Sequence, residues 1–143
     1  MRTSVHLVIA ISLMLCASPA GFMTVTRSFE PEIASVRHVR AFVGDAMGIA
    51  PQSATAVLLA SELAANAVEH GGGQIAVSVQ THPDGAAWVG VTDQSAQCPR
   101  VVSTPADAPR GRGMQIVDAL SHGWGVEPTS NGKPVWFTLP AQF

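Results

Sequence analysis

Between Pro51 and the glycine run Gly71-Gly-Gly73, the residues Val57, Leu58, Leu59, Leu63 and Val68 cover most of the circumference of an α-helix. The three glycines then stop it. A helix that is apolar on most sides has to be covered by the rest of the chain, so this one sets what the remaining elements must pack around. Yet Glu62, Asn66 and His70 stand four residues apart on it. Steps of four drift only about 40° around a helix, so a carboxylate, an amide and an imidazole line up along one edge. On an exposed helix such an edge is ordinary surface. On a largely buried one a carboxylate is costly unless it is paired or faces a cavity. Asn66 can offer a hard amide oxygen to Mg²⁺, which keeps several waters and takes its other ligands from substrate phosphates. Glu62, one turn earlier, can accept a proton from an attacking hydroxyl or water.

The surrounding pattern supplies the cover. Thr24 to Phe29 alternates and is rich in β-formers, which predicts a first strand. Glu30-Pro31-Glu32 opens a helix, with proline in its first turn and acids at its positive end. Ile33, Val36, Val39, Phe42 and Val43 recur at helical spacing to about Met47 and form its sheet-facing stripe, and Gly48 closes it. Beyond the buried helix, strands over Gln74 to Thr81 and Ala87 to Thr92 flank the turn signal His82-Pro-Asp-Gly85, an antiparallel hairpin. Asp93 to Arg110 contains Pro99, Pro105 and Pro109 without periodicity and reads as a long lid or binding loop. A short helix from about Gly113 to Leu120, a strand near Trp124 to Glu127, a turn at 130 to 132 and a strand over Val135 to Leu139 complete the order. Mostly antiparallel strands with segregated helices imply an α+β two-layer sandwich whose sheet is covered on one face by helices. The second helix then presents Glu62 and Asn66 toward the lid.

The 143 residues suit one domain, and 47% hydrophobic and 13% charged residues with a net charge of -2 suggest neither disorder nor a nucleic-acid footprint. Cys16 and Cys98 make neither a disulfide framework nor a zinc spacing. Residues 1–22 form a separate segment: Arg2, an apolar run from Val5 to Ala17, then Ser-Pro-Ala-Gly. The outline is that of a secretory signal, and the run is short of the roughly 20 residues that span a bilayer, so no stable membrane insertion is expected. The other reading makes Met23 the true start, because a folded pattern begins at Thr24. It is the favoured one, with residues 23–143 as the domain.

Two further segments fall into place beside Glu62 to Gly71. In Arg110-Gly-Arg-Gly-Met114 two glycines run into a helix start, where bare backbone N–H groups can meet an anion. In Val91-Thr-Asp93 the aspartate ends a strand, and a carboxylate there can accept a hydrogen bond from an exocyclic amine such as that of adenine. Each signal has a bland counterpart, a tight turn or a capping aspartate. Their order and spacing together are harder to reach by chance.

With these boxes the chain resembles the ATP-binding superfamily of gyrases, heat-shock chaperones and sensor kinases, and more closely the actinobacterial anti-sigma factor serine kinase-like proteins. Glu62-Leu-Ala-Ala-Asn66-Ala-Val-Glu-His70 looks like the family's first box, Val91-Thr-Asp93 the second and Gly111-Arg-Gly113-Met the third. Gly123-Trp-Gly and Gly132-Lys-Pro-Val-Trp136-Phe resemble the tail. The resemblance implies a Bergerat-type ATP-binding fold in which Asn66 coordinates Mg²⁺, Asp93 binds the adenine amine, Gly111 and Gly113 shape the phosphate lid, and Glu62 is the general base. Arg112, with Arg110, would add positive charge near the phosphates, and His70 would pack against the lid or border the phosphates. It departs from the superfamily at Ser95, where a glycine is common, and at Lys133, where many members carry threonine.

By the same resemblance the cofactors are ATP and Mg²⁺, and the setting is cytoplasmic, where ATP is found. The activity is that of a serine/threonine protein kinase acting on an anti-anti-sigma-type protein and serving as an anti-sigma factor. The alternative is a catalytically silent, nucleotide-sensing module that sequesters a sigma factor or related regulator. A homodimer is possible in such a family, and Ala34, Arg37, His38 and Ala41 on the first helix are the positions to inspect for partner contact.

Overall fold

The computed structural model describes residues 23–70, 73–94, 113–127 and 132–141. Residues 1–22 and most of the expected lid loop, including Ser95, Arg110, Gly111 and Arg112, lie outside the described residues. Period-two burial appears directly in the strands. In β2 (Ile75–Thr81) Ile75, Val77 and Val79 are buried and their neighbours less so. In β5 (Lys133–Leu139) Lys133, Val135, Phe137 and Leu139 are buried. With β1 (Met23–Phe29), β3 (Ala87–Asp93) and β4 (Gly123–Val126) these form a five-stranded sheet in the order β1-β2-β3-β5-β4. Every neighbouring pair is antiparallel. Alternation in such a sheet means one face is packed and the other left to solvent.

The packed face is covered by α1 (Ala34–Met47), α2 (Ser53–His70) and α3 (Gly113–Leu120). Helix α2 is the hub, touching α1, α3, β2 and β3. Its buried side is made of Ala56, Leu59, Ala60, Leu63, Ala64 and Ala67, and the alanines bring its backbone close to its neighbours. Phe137, Leu59, Ile75, Val39 and Val89 are completely enclosed between the layers. Burying side chains of this size stabilises the fold by about 1.5–3 kcal/mol each. Buried Gln52, just ahead of α2, donates to the carbonyl of Pro140 and so ties the helix start to the end of β5. The expected two-layer α+β sandwich, with an antiparallel sheet under helices, is the fold observed.

The other face carries the Thr26 Oγ1–Ser78 Oγ hydrogen bond of 2.8 Å. It also carries two indoles lying over glycines. Trp88 overlies Gly90 on its own strand, and Trp136 overlies Gly125, its cross-strand partner. Among the described residues no helix is long and apolar enough to cross a membrane.

Two boundaries differ from the sequence reading by two residues or more, the others by one at most. Helix α1 begins at Ala34, and Glu30-Pro31-Glu32 is a turn closed by Glu32 N–H to Glu30 O (2.9 Å) and Ser35 N–H to Glu32 O (2.9 Å). Proline holds the residue before it out of the helical region, so the chain must turn before it can wind. The buried stripe becomes Ser35, Val39, Val43 and Met47, and Ile33 is 75% exposed. Val36 and Phe42 still pack at the core margin, with Phe42 edge-on to Phe29 at 5.9 Å. Ala34, Arg37, His38 and Ala41 are exposed. Strand β5 starts two residues early, at Lys133, despite Pro134. The Pro134 carbonyl accepts from Glu127 N–H at 2.9 Å, so the missing N–H falls at the end of β4, where the ladder is already running out.

Candidate functional site

Glu62 sits on α2 between buried Ser61 and buried Leu63, itself half-buried on the flank. Ser61 Oγ donates to the Leu58 carbonyl at 2.7 Å, which consumes that hydroxyl within the helix. What faces Glu62 is the start of α3. A β-carbon placed on Gly113 would stand 3.0 Å from Glu62 Oε2 and 3.6 Å from Glu62 Cβ. Glycine lets α3 begin this close to the carboxylate without displacing it. Asn66, half-buried, follows one turn along the same edge. His70 ends the row, its side chain 55% exposed and its Nε2 3.8 Å from Glu69 Oε2. Of the three edge residues, then, two are half-enclosed and the imidazole is at the open end.

Asp93 closes β3 at 7% exposure, continuing the buried series Ala87, Val89, Val91 on the helix-covered face. Directly opposite in the β3–β5 ladder is Lys133, also buried, with its Nζ 3.8 Å from Asp93 Oδ1. Gly132 precedes it with φ +148°, and a β-carbon there would come within 2.8 Å of the Asp93 carbonyl oxygen. Gln94, next to Asp93, lays its side chain against Gly73. The exit of α2 leads through Gly73 into β2, whose second residue Ala76 pairs with Thr92. Asp93 and the C-terminal turns of α2 are therefore at the same end of the sheet, on its helix-covered side.

Of the expected site residues, the fold places Glu62, Asn66 and Gly113 around the α2–α3 junction and Asp93 at the end of β3. Gly111 and Arg112 lie outside the described residues. The sequence reading gave no role to Lys133, noting it only as a departure. Its partnership with Asp93 emerges from ladder register, which becomes visible once β5 is extended by two residues. Among the described residues no group of three or more His, Cys, Asp or Glu is gathered to hold a metal. The donor set fits an ion carried in on phosphates, for which one amide ligand from Asn66 suffices.

A half-buried carboxylate and amide on one helix edge, a glycine helix start against the carboxylate, and a buried strand-end aspartate are the described parts of the expected site. The profile of the histidine kinase-like ATPase domain matches residues 29–139, and the chain belongs to that family. Membership in a family of ATPase domains implies ATP binding. The chain is similar in fold to the crystal structure of the RsbU and RsbW domains of Rv1364c from Mycobacterium tuberculosis. The TM-score is 0.58 and the identity 23%, and the match covers 84% of this chain. It spans 34%, about a third, of that longer protein. No curated protein matches the chain.

Proposed function

We propose that the chain is a Mg²⁺-ATP-dependent serine/threonine protein kinase that acts on an anti-anti-sigma-type partner and serves as an anti-sigma factor in the cytoplasm. The observation that carries this reading is the retention of Glu62 and Asn66 on one edge of α2, with the Glu62 carboxylate against the first residue of α3. Bound Mg²⁺-ATP supplies the phosphoryl group and the cation that neutralises charge on it during transfer. Asn66 would hold the ion through its amide oxygen, and Asp93 would accept a hydrogen bond from the adenine amine. Gly111, Arg112 and Gly113 belong to the box that would border the phosphates. Glu62 would take the proton from the partner's serine hydroxyl. Packing of α2 on three sides keeps Glu62 and Asn66 in fixed register. A base that strays by about 1 Å can lose about a hundredfold in rate.

The test is calorimetry of Mg²⁺-ATP binding to the full chain, alongside phosphate transfer to an anti-anti-sigma protein. Glu62→Ala should keep ATP affinity and lose transfer, whereas Asn66→Ala should weaken Mg²⁺-ATP binding. Transfer by wild type no faster than by Glu62→Ala sinks the kinase reading and leaves a nucleotide-sensing module that sequesters a regulator.

A further inference from the structure

We propose that Asp118 is a positioning residue for phosphate transfer: its bond to Trp124 sets the tilt of α3, and α3, through Gly113, sets the Glu62 carboxylate. This rests on the kinase reading above and adds a residue outside the expected site. Asp118 lies near the C-terminal end of α3, and its Oδ1 accepts from Trp124 Nε1–H at 2.9 Å. The indole is a firm anchor. Trp124 is half-buried against the core and is the cross-strand partner of Phe137, which is completely enclosed. Asp118 itself is exposed, so the bond is made at the surface while its anchor is held from inside.

What the bond adds follows from what else holds α3. Among the described residues the helix packs chiefly on α2, with β4 its next neighbour. Its buried side chains are Met114 and Val117. Apolar contact is non-directional, so it holds α3 down on α2 but resists a sideways swing only weakly. The chain leaving the helix is tied by Ser121 N–H to the Val117 carbonyl (3.0 Å) and by His122 N–H to the Thr138 carbonyl (2.8 Å). Ties at one end fix where a rod stops, not where it points. The Asp118–Trp124 bond adds a directional hold on the helix itself, and its effect is felt at the opposite end. At 1.5 Å per residue α3 is about 10 Å long, so a tilt of about 6° moves its start by about 1 Å. That start lies along Glu62: a β-carbon on Gly113 would stand 3.0 Å from Oε2, 3.6 Å from Cβ and 3.7 Å from the main-chain oxygen. A swing of α3 one way presses on the carboxylate, and a swing the other way frees its rotamers. Either change takes a general base away from its working geometry.

The experiment is phosphate transfer by the full chain to an anti-anti-sigma protein, with kcat and KM for Mg²⁺-ATP measured for Asp118→Ala, Asp118→Asn, Trp124→Phe and the Asp118→Ala, Trp124→Phe pair. Asp118→Ala should lower kcat about tenfold, short of the roughly hundredfold of a full 1 Å misplacement, and leave KM within about twofold of wild type. Asp118→Asn keeps the Oδ1 acceptor and should restore most of the rate. Trp124→Phe removes the donor and should match Asp118→Ala, with the pair no slower than either alone, because each removes the same bond. In nucleotide-free protein Asp118→Ala should quicken amide hydrogen exchange across α3 severalfold, while the melting temperature stays within about 5 °C of wild type. Circular dichroism establishes that the variants fold, and if Asp118→Ala does not, Trp124→Phe decides alone. Wild-type kcat in a folded Asp118→Ala, a rate in Asp118→Asn no better than in Asp118→Ala, or unchanged exchange across α3 each overturns the role of Asp118 and leaves the kinase reading standing. A pair that loses the product of the two single losses does the same. No transfer by wild type overturns the kinase reading, and this one with it.

Discussion

Glu62 Oε2 lies 3.0 Å from the point where a β-carbon on Gly113 would stand, so the side chain read as the general base is in tight contact with the first residue of α3. Gly113 is the first residue of its helix, where alanine gains little of the helix-interior advantage over glycine. The alanine methyl group would meanwhile press on Glu62 Oε2, which must give by a few tenths of an ångström. Gly113→Ala should therefore keep its melting temperature within a few degrees of wild type and transfer phosphate more slowly, by less than the roughly hundredfold that a full 1 Å misplacement costs. Thermal unfolding and a transfer assay on one preparation separate the effects. Lost stability with unchanged transfer would show that the contact is structural only.

Gly132 enforces a second close approach. Its φ of +148° and the 2.8 Å gap from its would-be β-carbon to both the Asp93 carbonyl oxygen and Thr92 Cγ2 leave no room for alanine. Gly132→Ala should cost about 1–3 kcal/mol in urea unfolding through backbone strain. Because the residue sits between the β4–β5 turn and Lys133, nucleotide affinity should fall with it. A variant as stable as wild type would mean that the β5 start can shift, and the Asp93–Lys133 register with it.

Much of this was legible in the sequence where a pattern repeats. The apolar run of α2, the alternation of β2 and β3 and the Pro-Asp-Gly turn each signal themselves locally, and Glu62 and Asn66 follow from spacing on one helix. What the sequence withheld depends on contacts between distant segments. Ile33 fits the helical period but falls in the turn imposed by Pro31, and Ser35 is buried in its stead because α1 rotates to bring Val39 and Val43 onto the sheet. Lys133 stood out in the sequence only as a departure from the threonine that many members carry. Its burial follows from pairing with Asp93, 40 positions earlier, and no local period encodes that register.

The hairpin turn between β2 and β3 carries a pH signature. The Ala86 N–H bonded to Asp84 Oδ1 at 2.8 Å, with His82 Nδ1 at 3.0 Å, holds the Asp84 carboxyl below the usual carboxylate range. A folded value below the unfolded one means the carboxylate stabilises the fold above the ordinary carboxylate range, and that this is lost as pH falls through the lowered value. Asp84→Ala should thus melt slightly below wild type at neutral pH, with the gap closing in strong acid. Melting curves across that range check the sign, and a gap that widens toward acid would contradict it.

Trp136 gives the sharpest contrast between removing a group and replacing it. Its indole lies on Gly125, where an added β-carbon would be 2.7 Å from Cζ2, and its Nε1 is buried with no hydrogen-bond partner among the described residues. An unmade hydrogen bond at a buried N–H costs about 1–3 kcal/mol. Phenylalanine removes that donor together with part of the ring area, and the two changes oppose each other at similar size. Trp136→Phe should therefore stay within about 1 kcal/mol of wild type. Trp136→Ala, which strips the ring from Gly125 altogether, should lose more, though less than the roughly 3–5 kcal/mol of a core tryptophan, because the side chain is half-buried. Urea unfolding followed by far-ultraviolet circular dichroism measures both without relying on the altered fluorophore. If Trp136→Phe costs as much as Trp136→Ala, the indole N–H has a partner beyond the described residues, and the exposed-side sheet face is more tightly covered than its two indoles alone would make it.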